Sequence, residues 1–309
     1  MYTLSYIRQI LGLETSAVQD QELVDIVIDS RAILEGKRSL FVAIKASHRN
    51  GHDFIKSAYE KGVRCFLVSE PIASAEFPDA HFIEVKDTLV ALQTIAAAIR
   101  ATQHGPIIGI TGSNGKTIVK EWLAYLLEEK CKVYKSPLSY NSQIGVPLSV
   151  WKMPQAIDIG IFEAGISKKN EMNRLQDILK PNIGVLTHMG VAHQEGFENQ
   201  AAKIEEKLQL FSDCNTIIYH SDDEQVDHLM KQQYQDRQLL NWSTKDTNAK
   251  VYVEFSKQKT VTEIKLKSKE AVVALTIPFA DDASIENAIT CFVALQATTL
   301  WDASLIHRF

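Results

Sequence analysis

The stretch GITGSNGKTIVKEW, from Gly109 to Trp122, constrains this chain more than any other. An apolar run, IIGIT (107–111), leads into a loop with glycines at 112 and 115, and Lys116 and Thr117 then open a helical pattern. Strand, glycine loop and helix in that order are the context in which GKT becomes a phosphate cradle. Glycine lets the backbone approach a phosphate and turn its amides inward. The helix start adds partial positive charge and Lys116 a full one, while the Thr117 hydroxyl suits Mg2+. A strict Walker loop needs a glycine five residues before Gly115, where Ile110 stands, so the loop is a variant. In the helix, Ile118, Trp122 and Leu126 fall four apart, as do Val119, Leu123 and Leu127, and the spacing predicts one apolar face.

The rest of the pattern predicts an α/β protein with two domains. Residues 1–103 read as a small α/β domain. They hold a short amphipathic helix in MYTLSYIRQILGLE, strands in DIVIDS, SLFVAI and RCFLVSE, a helix near DFIKSAYEKG, and a closing helix in TLVALQTIAAAIRATQ. HGP at 104–106 breaks the pattern and marks the junction. Residues 104–309 alternate strand and helix, with further strands in DIGIFEA, NIGVLT and NTIIYH, which predicts a mostly parallel sheet. KVYVEF, TVTEIKLKS and AVVALTIP switch to apolar/polar alternation, the signature of an antiparallel edge, and SIENAITCFVALQATTL predicts a last helix.

Composition excludes several function classes. A net charge of -5 over 309 residues gives no electrostatic footprint for nucleic acid. No stretch reaches the roughly 18 apolar residues of a membrane span, and the N-terminus lacks the basic start and cleavage site of a signal peptide. A cytoplasmic protein without membrane insertion is expected. Cys65, Cys131, Cys214 and Cys291 form no CxxC pair, which argues against structural zinc and a disulfide scaffold and predicts buried free thiols.

Beyond the loop TGSNGKT, six ordered segments resemble the Mur ligases, ATP-dependent enzymes that build the peptidoglycan stem peptide. They are DSRAILEGKRSLFVAIKASHRNGHDFIKSAYEKGV (29–63), YNSQIGVPLSVW (140–151), FEAGISKKNEM (162–172), VAHQEGF (191–197), EEKLQLF (205–211) and SIENAI (284–289). The resemblance implies an N-terminal domain for the UDP-sugar-peptide, a central ATP-binding domain, and an acyl-phosphate route to a new amide bond. The KE after the loop and the EAG with its following acidic turn point, within the family, to UDP-N-acetylmuramoyl-tripeptide and D-alanyl-D-alanine as substrates. The family's third, C-terminal domain has no counterpart before Phe309, and the resemblance therefore implies that these 309 residues bind ligands but ligate slowly or not at all.

Residue by residue, the resemblance assigns ATP to Thr111, Gly112, Ser113, Asn114, Gly115, Lys116, Thr117 and Asn287, and metal to Thr117, Glu163 and His193. Lys116, His193 and Lys207 become catalytic groups, with Lys207 carbamylated and Mg2+ as cofactor. Ser30, Arg31 and Asn141 fall on the substrate side. On residue type alone, Glu163 is also a strand-end carboxylate, His193 a loop histidine, Asn287 a polar helix-start residue, and Lys203 and Lys207 surface charges beside Glu206. Four positions depart from the family: His188 stands where asparagine is common, Ser142 replaces the second asparagine of a pair, and Ala283 and Ser284 replace a His-Asn pair. Three alternatives stay open: another Mur-type ligase acting on a UDP-linked dipeptide or a folate, a P-loop NTPase of another class, and a non-catalytic nucleotide-binding module.

Overall fold

The computed structural model describes residues 2–15, 20–190, 197–298, 300 and 305. The chain forms two compact units, Met1–Thr102 with Gln143–Met153, and Gln103–Ser142 with Pro154–Phe309.

In the first unit, β1 (Tyr2–Thr3) leads into α1 (Leu4–Ile10), where the Thr3 hydroxyl caps the Tyr6 amide, and β1 pairs with β2 (Glu22–Leu23). β3 (Asp25–Val27) and β4 (Ser39–Val42) follow, then a small hairpin of β5 (Lys45–Ala46) and β6 (Arg49–Asn50). α2 (Ile55–Glu60), β7 (Cys65–Val68), β8 (His81–Glu84) and α3 (Thr88–Ala101) complete the run. β3, β4, β7 and β8 lie side by side in that order, all parallel. The two central strands, SLFV and CFLV, are buried at every position, as strands covered on both faces must be. Phe41, Phe66, Phe77 and Phe82 fill the core, with the Phe66 and Phe82 rings stacked 5.2 Å apart. Asp87 caps α3 through the amides of Leu89 and Val90. The helix Gly145–Trp151 packs against α3, and Trp151 Nε1 donates to Val24 O at 2.9 Å.

The second unit carries a nine-stranded sheet. Its elements are β9 (Ile107–Thr111), α4 (Lys116–Leu127), β10 (Val133–Lys135), β11 (Ile159–Glu163), α6 (Met172–Leu179), β12 (Ile183–Leu186), α7 (Gln200–Leu208), β13 (Thr216–His220), α8 (Glu224–Gln233), β14 (Gln238–Ser243), β15 (Val251–Lys257), β16 (Thr262–Lys267), β17 (Val272–Ile277) and α9 (Asp282–Gln296), α5 being Gly145–Trp151 of the first unit. Strand order is β10-β11-β9-β12-β13-β14-β15-β16-β17. Every pair from β10 to β15 is parallel and the last two pairs are antiparallel, the expected mostly parallel sheet with an antiparallel edge. β15 itself joins β14 in parallel through Trp242 and Ser243, so the switch of direction comes one strand later than alternation alone predicts.

Two expectations need correction, and two strands were not anticipated. Ile118 is 45% exposed, because the buried apolar stripe of α4 runs through Val119, Leu123, Ala124, Leu126 and Leu127. That stripe packs with α9 over the central strands, each buried leucine or isoleucine contributing about 1.5–3 kcal/mol. Cys131 is half-buried, whereas Cys65, Cys214 and Cys291 are buried as expected. β10 and β14 carry neither alternation nor a long apolar run, and pairing with neighbouring strands makes them strands. Among the described residues, no helix is long and apolar enough to cross a membrane.

Candidate active site

β9 lies inside the run of parallel strands, with β11 on one side and β12 on the other. The chain runs from β9 to β10 and β11 on one side and then crosses from β11 to β12 on the other. A ligand cleft is expected outside the carboxyl ends of strands where the order reverses. The chemistry-bearing residues sit there: the glycine loop follows β9, Glu163 ends β11, and Thr187 and His188 follow β12.

The loop depends on two glycines. Gly112 has φ +146° and Gly115 φ +84°, backbone regions that favour residues without a Cβ. A Cβ at Gly112 would collide with Thr187 Oγ1, and one at Gly115 with Asn287 Oδ1. The space a side chain would fill is therefore claimed by polar atoms closing on the loop, which brings Asn287, 5% exposed, to the cradle from α9. Further bonds fix the loop: Ser113 N and Asn114 N donate to His188 O at 2.8 and 3.3 Å, and Thr187 Oγ1 donates to Asn114 O at 2.6 Å. The Thr111 hydroxyl is buried without a hydrogen-bond partner among the described residues. Among the described residues no side chain caps α4, so its first-turn amides remain directed at the loop. Those are the features of an anion cradle.

Lys116 Nζ donates to Gly112 O at 2.9 Å and to Ser113 O at 3.2 Å. Burial pushes its pKa down against an opposing pull from Glu163, with Lys203 adding to the depression. Glu163 is fully buried. Thr117 Oγ1 donates to its two oxygens at 3.1 and 3.2 Å, Asn141 Nδ2 to Oε2 at 3.2 Å, and Lys120 Nζ to Oε1 at 3.0 Å. Among the described residues no three His, Cys, Asp or Glu side chains gather as a metal cluster. The Thr117 hydroxyl and a single carboxylate are instead the hard oxygen donors that a phosphate-bound Mg2+ takes, so these residues fit that ion.

α7, capped by Asn199 on the Ala202 amide, sets Lys203 and Lys207 one turn apart on the same face. Lys207 is not the surface charge its residue type permits: it is 3% exposed, and Nζ donates to Gly112 O at 3.0 Å. Burial, then the fields of Lys116 and Lys203, push its pKa from 10.5 down to about 7. A cavity of about 450 Å3 joins these groups, lined by the glycine loop, Lys116, Asn141, Ser142, Gly165, Lys203 and Lys207.

His193 lies outside the described residues. Ser30 and Arg31 belong to the first unit, where they begin a short 3-10 turn after β3. Ser30 is buried and its carbonyl accepts from Lys61 Nζ at 2.8 Å. Arg31 is exposed and gripped by Asp29, with Nη2 to Oδ2 at 2.6 Å and Nε to Oδ1 at 3.0 Å. Those bonds hold the Asp29 carboxyl well below the usual carboxylate range.

Sequence reasoning missed two groups. Lys120 appears there only as part of KE, yet it is the buried partner of Glu163. The resemblance assigns no role to His188, but its Nδ1 pairs with Glu286 at 3.1 Å beside His220. The His220 ring stacks on Trp242 with centroids 3.7 Å apart and stands between Glu286 and Asp222. Burial opposes a charge on His220, but the two carboxylates outweigh it and raise the pKa. His188, His220, Asp222 and Glu286 line a second cavity of about 380 Å3. The signals in the sequence are the KE pair for Lys120 and the departure from asparagine at 188 for His188.

Comparison with known proteins gives one consistent family. Residues 110–295 match the Mur ligase middle domain, and residues 23–102 match the model described as Mur ligase family, catalytic domain. The UDP-N-acetylmuramoyl-tripeptide–D-alanyl-D-alanine ligase of Synechocystis sp. is 35% identical over 198 residues, 64% of this chain and 43% of that protein. The Bacillus subtilis protein of the same name is 32% identical over 191 residues, 60% of this chain and 41% of its own length. The Haemophilus influenzae protein is 24% identical over 296 residues, 94% of this chain and 63% of the relative. The matched stretches thus span less than two thirds of each relative. Among solved structures, MurF from Acinetobacter baumannii superimposes with a TM-score of 0.85 at 18% identity, covering 97% of this chain and 66% of that one. MurF ligase from Thermotoga maritima in complex with ADP gives 0.80 at 22% identity, covering 92% and 66%. At those identities the likeness shows the fold.

Proposed function

We propose a function from one premise: this chain belongs to the Mur ligase family. The reaction its site supports best is ATP-dependent joining of D-alanyl-D-alanine to UDP-N-acetylmuramoyl-tripeptide, the reaction in the names of its relatives. The single observation that carries it is the convergence of Lys116, Thr117, Glu163 and buried Lys207 at one end of the parallel strands. Substrates of this kind are soluble precursors, so the reaction belongs in the cytoplasm.

A free carboxylate is a poor acyl donor, because charge and resonance both oppose attack by an amine. Transfer of the γ-phosphoryl group of ATP to the tripeptide's terminal carboxylate makes one oxygen a leaving group. The D-alanyl-D-alanine amine then adds to the carbonyl carbon, and the tetrahedral intermediate expels phosphate. Phosphoryl transfer asks the protein for alignment and charge neutralisation. Thr111 to Thr117 hold the phosphates, with Lys116 on the group in transfer and Asn287 on the nucleoside side. Thr117 and Glu163 would hold Mg2+, and the resemblance assigns a second ion to His193. When bound, Mg2+ neutralises the phosphate charge that would repel the incoming carboxylate.

Lys207 has the environment a carbamylated lysine needs. Its depressed pKa leaves much of the amine neutral near pH 7, the form that captures CO2. The resulting anion would sit among Lys116 and Lys203 and be available to Mg2+. On the substrate side, Asn141 faces the cleft, while Ser30 and Arg31 take the uridine-diphosphate portion. Arg31 would exchange its two-point grip on Asp29 for one on diphosphate, a geometry suited to guanidinium.

Calorimetric titration of the chain with UDP-N-acetylmuramoyl-tripeptide, and separately with a non-hydrolysable ATP analogue plus Mg2+, tests this. Binding of both is expected, with nucleotide binding abolished by Lys116→Ala. Nucleotide binding without any binding of the UDP-linked tripeptide would favour a different ligase or an NTPase.

A further inference from the structure

Lys120 is fully buried, one helical turn after Lys116, and no step of the reaction above uses it. Its Nζ donates to Glu163 Oε1 at 3.0 Å, to Ser136 O at 2.8 Å and to Leu138 O, and lies 3.3 Å from Glu121 Oε1. Glu163 is also fully buried, so the pair is screened from water on both sides. Such a pair is seldom worth more to stability than apolar side chains of similar volume, so stability alone does not account for it.

The turn that Lys120 grips holds more of the site. Leu138 has φ +49°, a left-handed conformation that a residue with a Cβ seldom adopts, and its carbonyl is turned onto Lys120. From the same turn Ser139 Oγ stands 3.2 Å from Thr117 Oγ1, and Asn141 Nδ2 donates to Glu163 Oε2. The two Glu163 oxygens are thereby distinguished: Oε1 is taken by Lys120, while Oε2 faces Asn141, with Thr117 reaching both.

We propose that Lys120 is a positioning residue that fixes the Glu163 carboxylate and the 136–141 turn in the one spacing that suits Mg2+. This rests on the ligase reading of the site. Mg2+ demands near-ideal octahedral geometry at short distances, whereas Ca2+ accepts more ligands and looser angles. Loss of Lys120 therefore weakens the site for Mg2+ more than for Ca2+, a difference that a purely structural role does not produce.

The test measures binding of a non-hydrolysable ATP analogue to the native chain, Lys120→Met and Lys120→Gln, with Mg2+, with Ca2+ and with chelator, thermal melts confirming folding. Loss of a residue supporting a metal ligand costs about 10–100-fold in metal affinity, and Mg2+-supported binding in Lys120→Met is expected to fall by about that factor. Ca2+-supported binding falls by less, and metal-free binding is unchanged. Lys120→Gln keeps a donor for the Ser136 and Leu138 carbonyls, so it tests the same ranking, with smaller losses, should the methionine variant not fold. Equal losses with both ions, or none, overturn the positioning role while leaving the ligase reading intact. If even the native chain gains no affinity from Mg2+, the ligase reading fails and this inference fails with it.

Discussion

Replacing Lys207 by methionine keeps most of the stem's volume and removes the ammonium, which isolates the cost of burying that charge. In the native chain the group falls from its ordinary 10.5 to about 7, and at 1.36 kcal/mol per pH unit the difference is about 5 kcal/mol. The substitution also forfeits the hydrogen bond to Gly112 O, worth about 1 kcal/mol. Below pH 7 the variant should therefore be more stable than wild type, by up to about 4 kcal/mol. The sign follows from proton counting. Between about pH 7 and 10.5 the unfolded chain still holds the Lys207 proton that the native state has released, so wild-type stability rises with pH through this window. The variant's advantage shrinks across the same window and vanishes near its upper end. Buried thiols and phenols, Cys214 and Tyr219 among them, titrate in both proteins and cancel in the difference. The assay is urea unfolding of both proteins at closely spaced pH values in CO2-free buffer, since carbamylation would itself discharge the amine. A stability difference that does not change with pH, or a variant weaker than wild type at neutral pH, would refute the claim that Lys207 is a charge held against its solvation.

Three other outcomes are expected. Gly115→Ala forces a Cβ into Asn287 Oδ1 at φ +84° and should cost about 1–3 kcal/mol in thermal melts while abolishing nucleotide binding by calorimetry. Ile118→Ala should change stability by less than about 0.5 kcal/mol and Leu123→Ala lower it by about 2–5 kcal/mol, and equal costs in urea titrations would mean that the buried stripe of α4 is drawn wrongly. Arg31→Ala removes an exposed ion pair, so stability should shift by less than about 1 kcal/mol while affinity for the UDP-linked tripeptide drops by about tenfold or more.

The interior parallel strands were legible because burial on both faces demands continuous apolar runs: IIGIT, IGIFE and IGVL each stand where that rule predicts. The antiparallel edge was legible from alternation, since one face is wet. β10 and β14 were not, because no local pattern marks a strand that owes its form to its neighbours. Ile118 fits the helical period yet is exposed, since spacing fixes a face but not how widely the partner layer covers it.

The residue sequence determined the α/β class, the position of the glycine loop and the order of the motifs, because those depend on local propensity and on spacing within one element. Tertiary structure alone decided which charges are buried and what each faces. Lys120 meets Glu163 across 43 residues of chain and Lys207 meets Gly112 across 95. On residue type alone these lysines read like Lys203 or any surface lysine, and only the family resemblance sets Lys207 apart. Their chemistry comes from desolvation and from partners within about 3 Å, and both arise only when the sheet brings distant strand ends together.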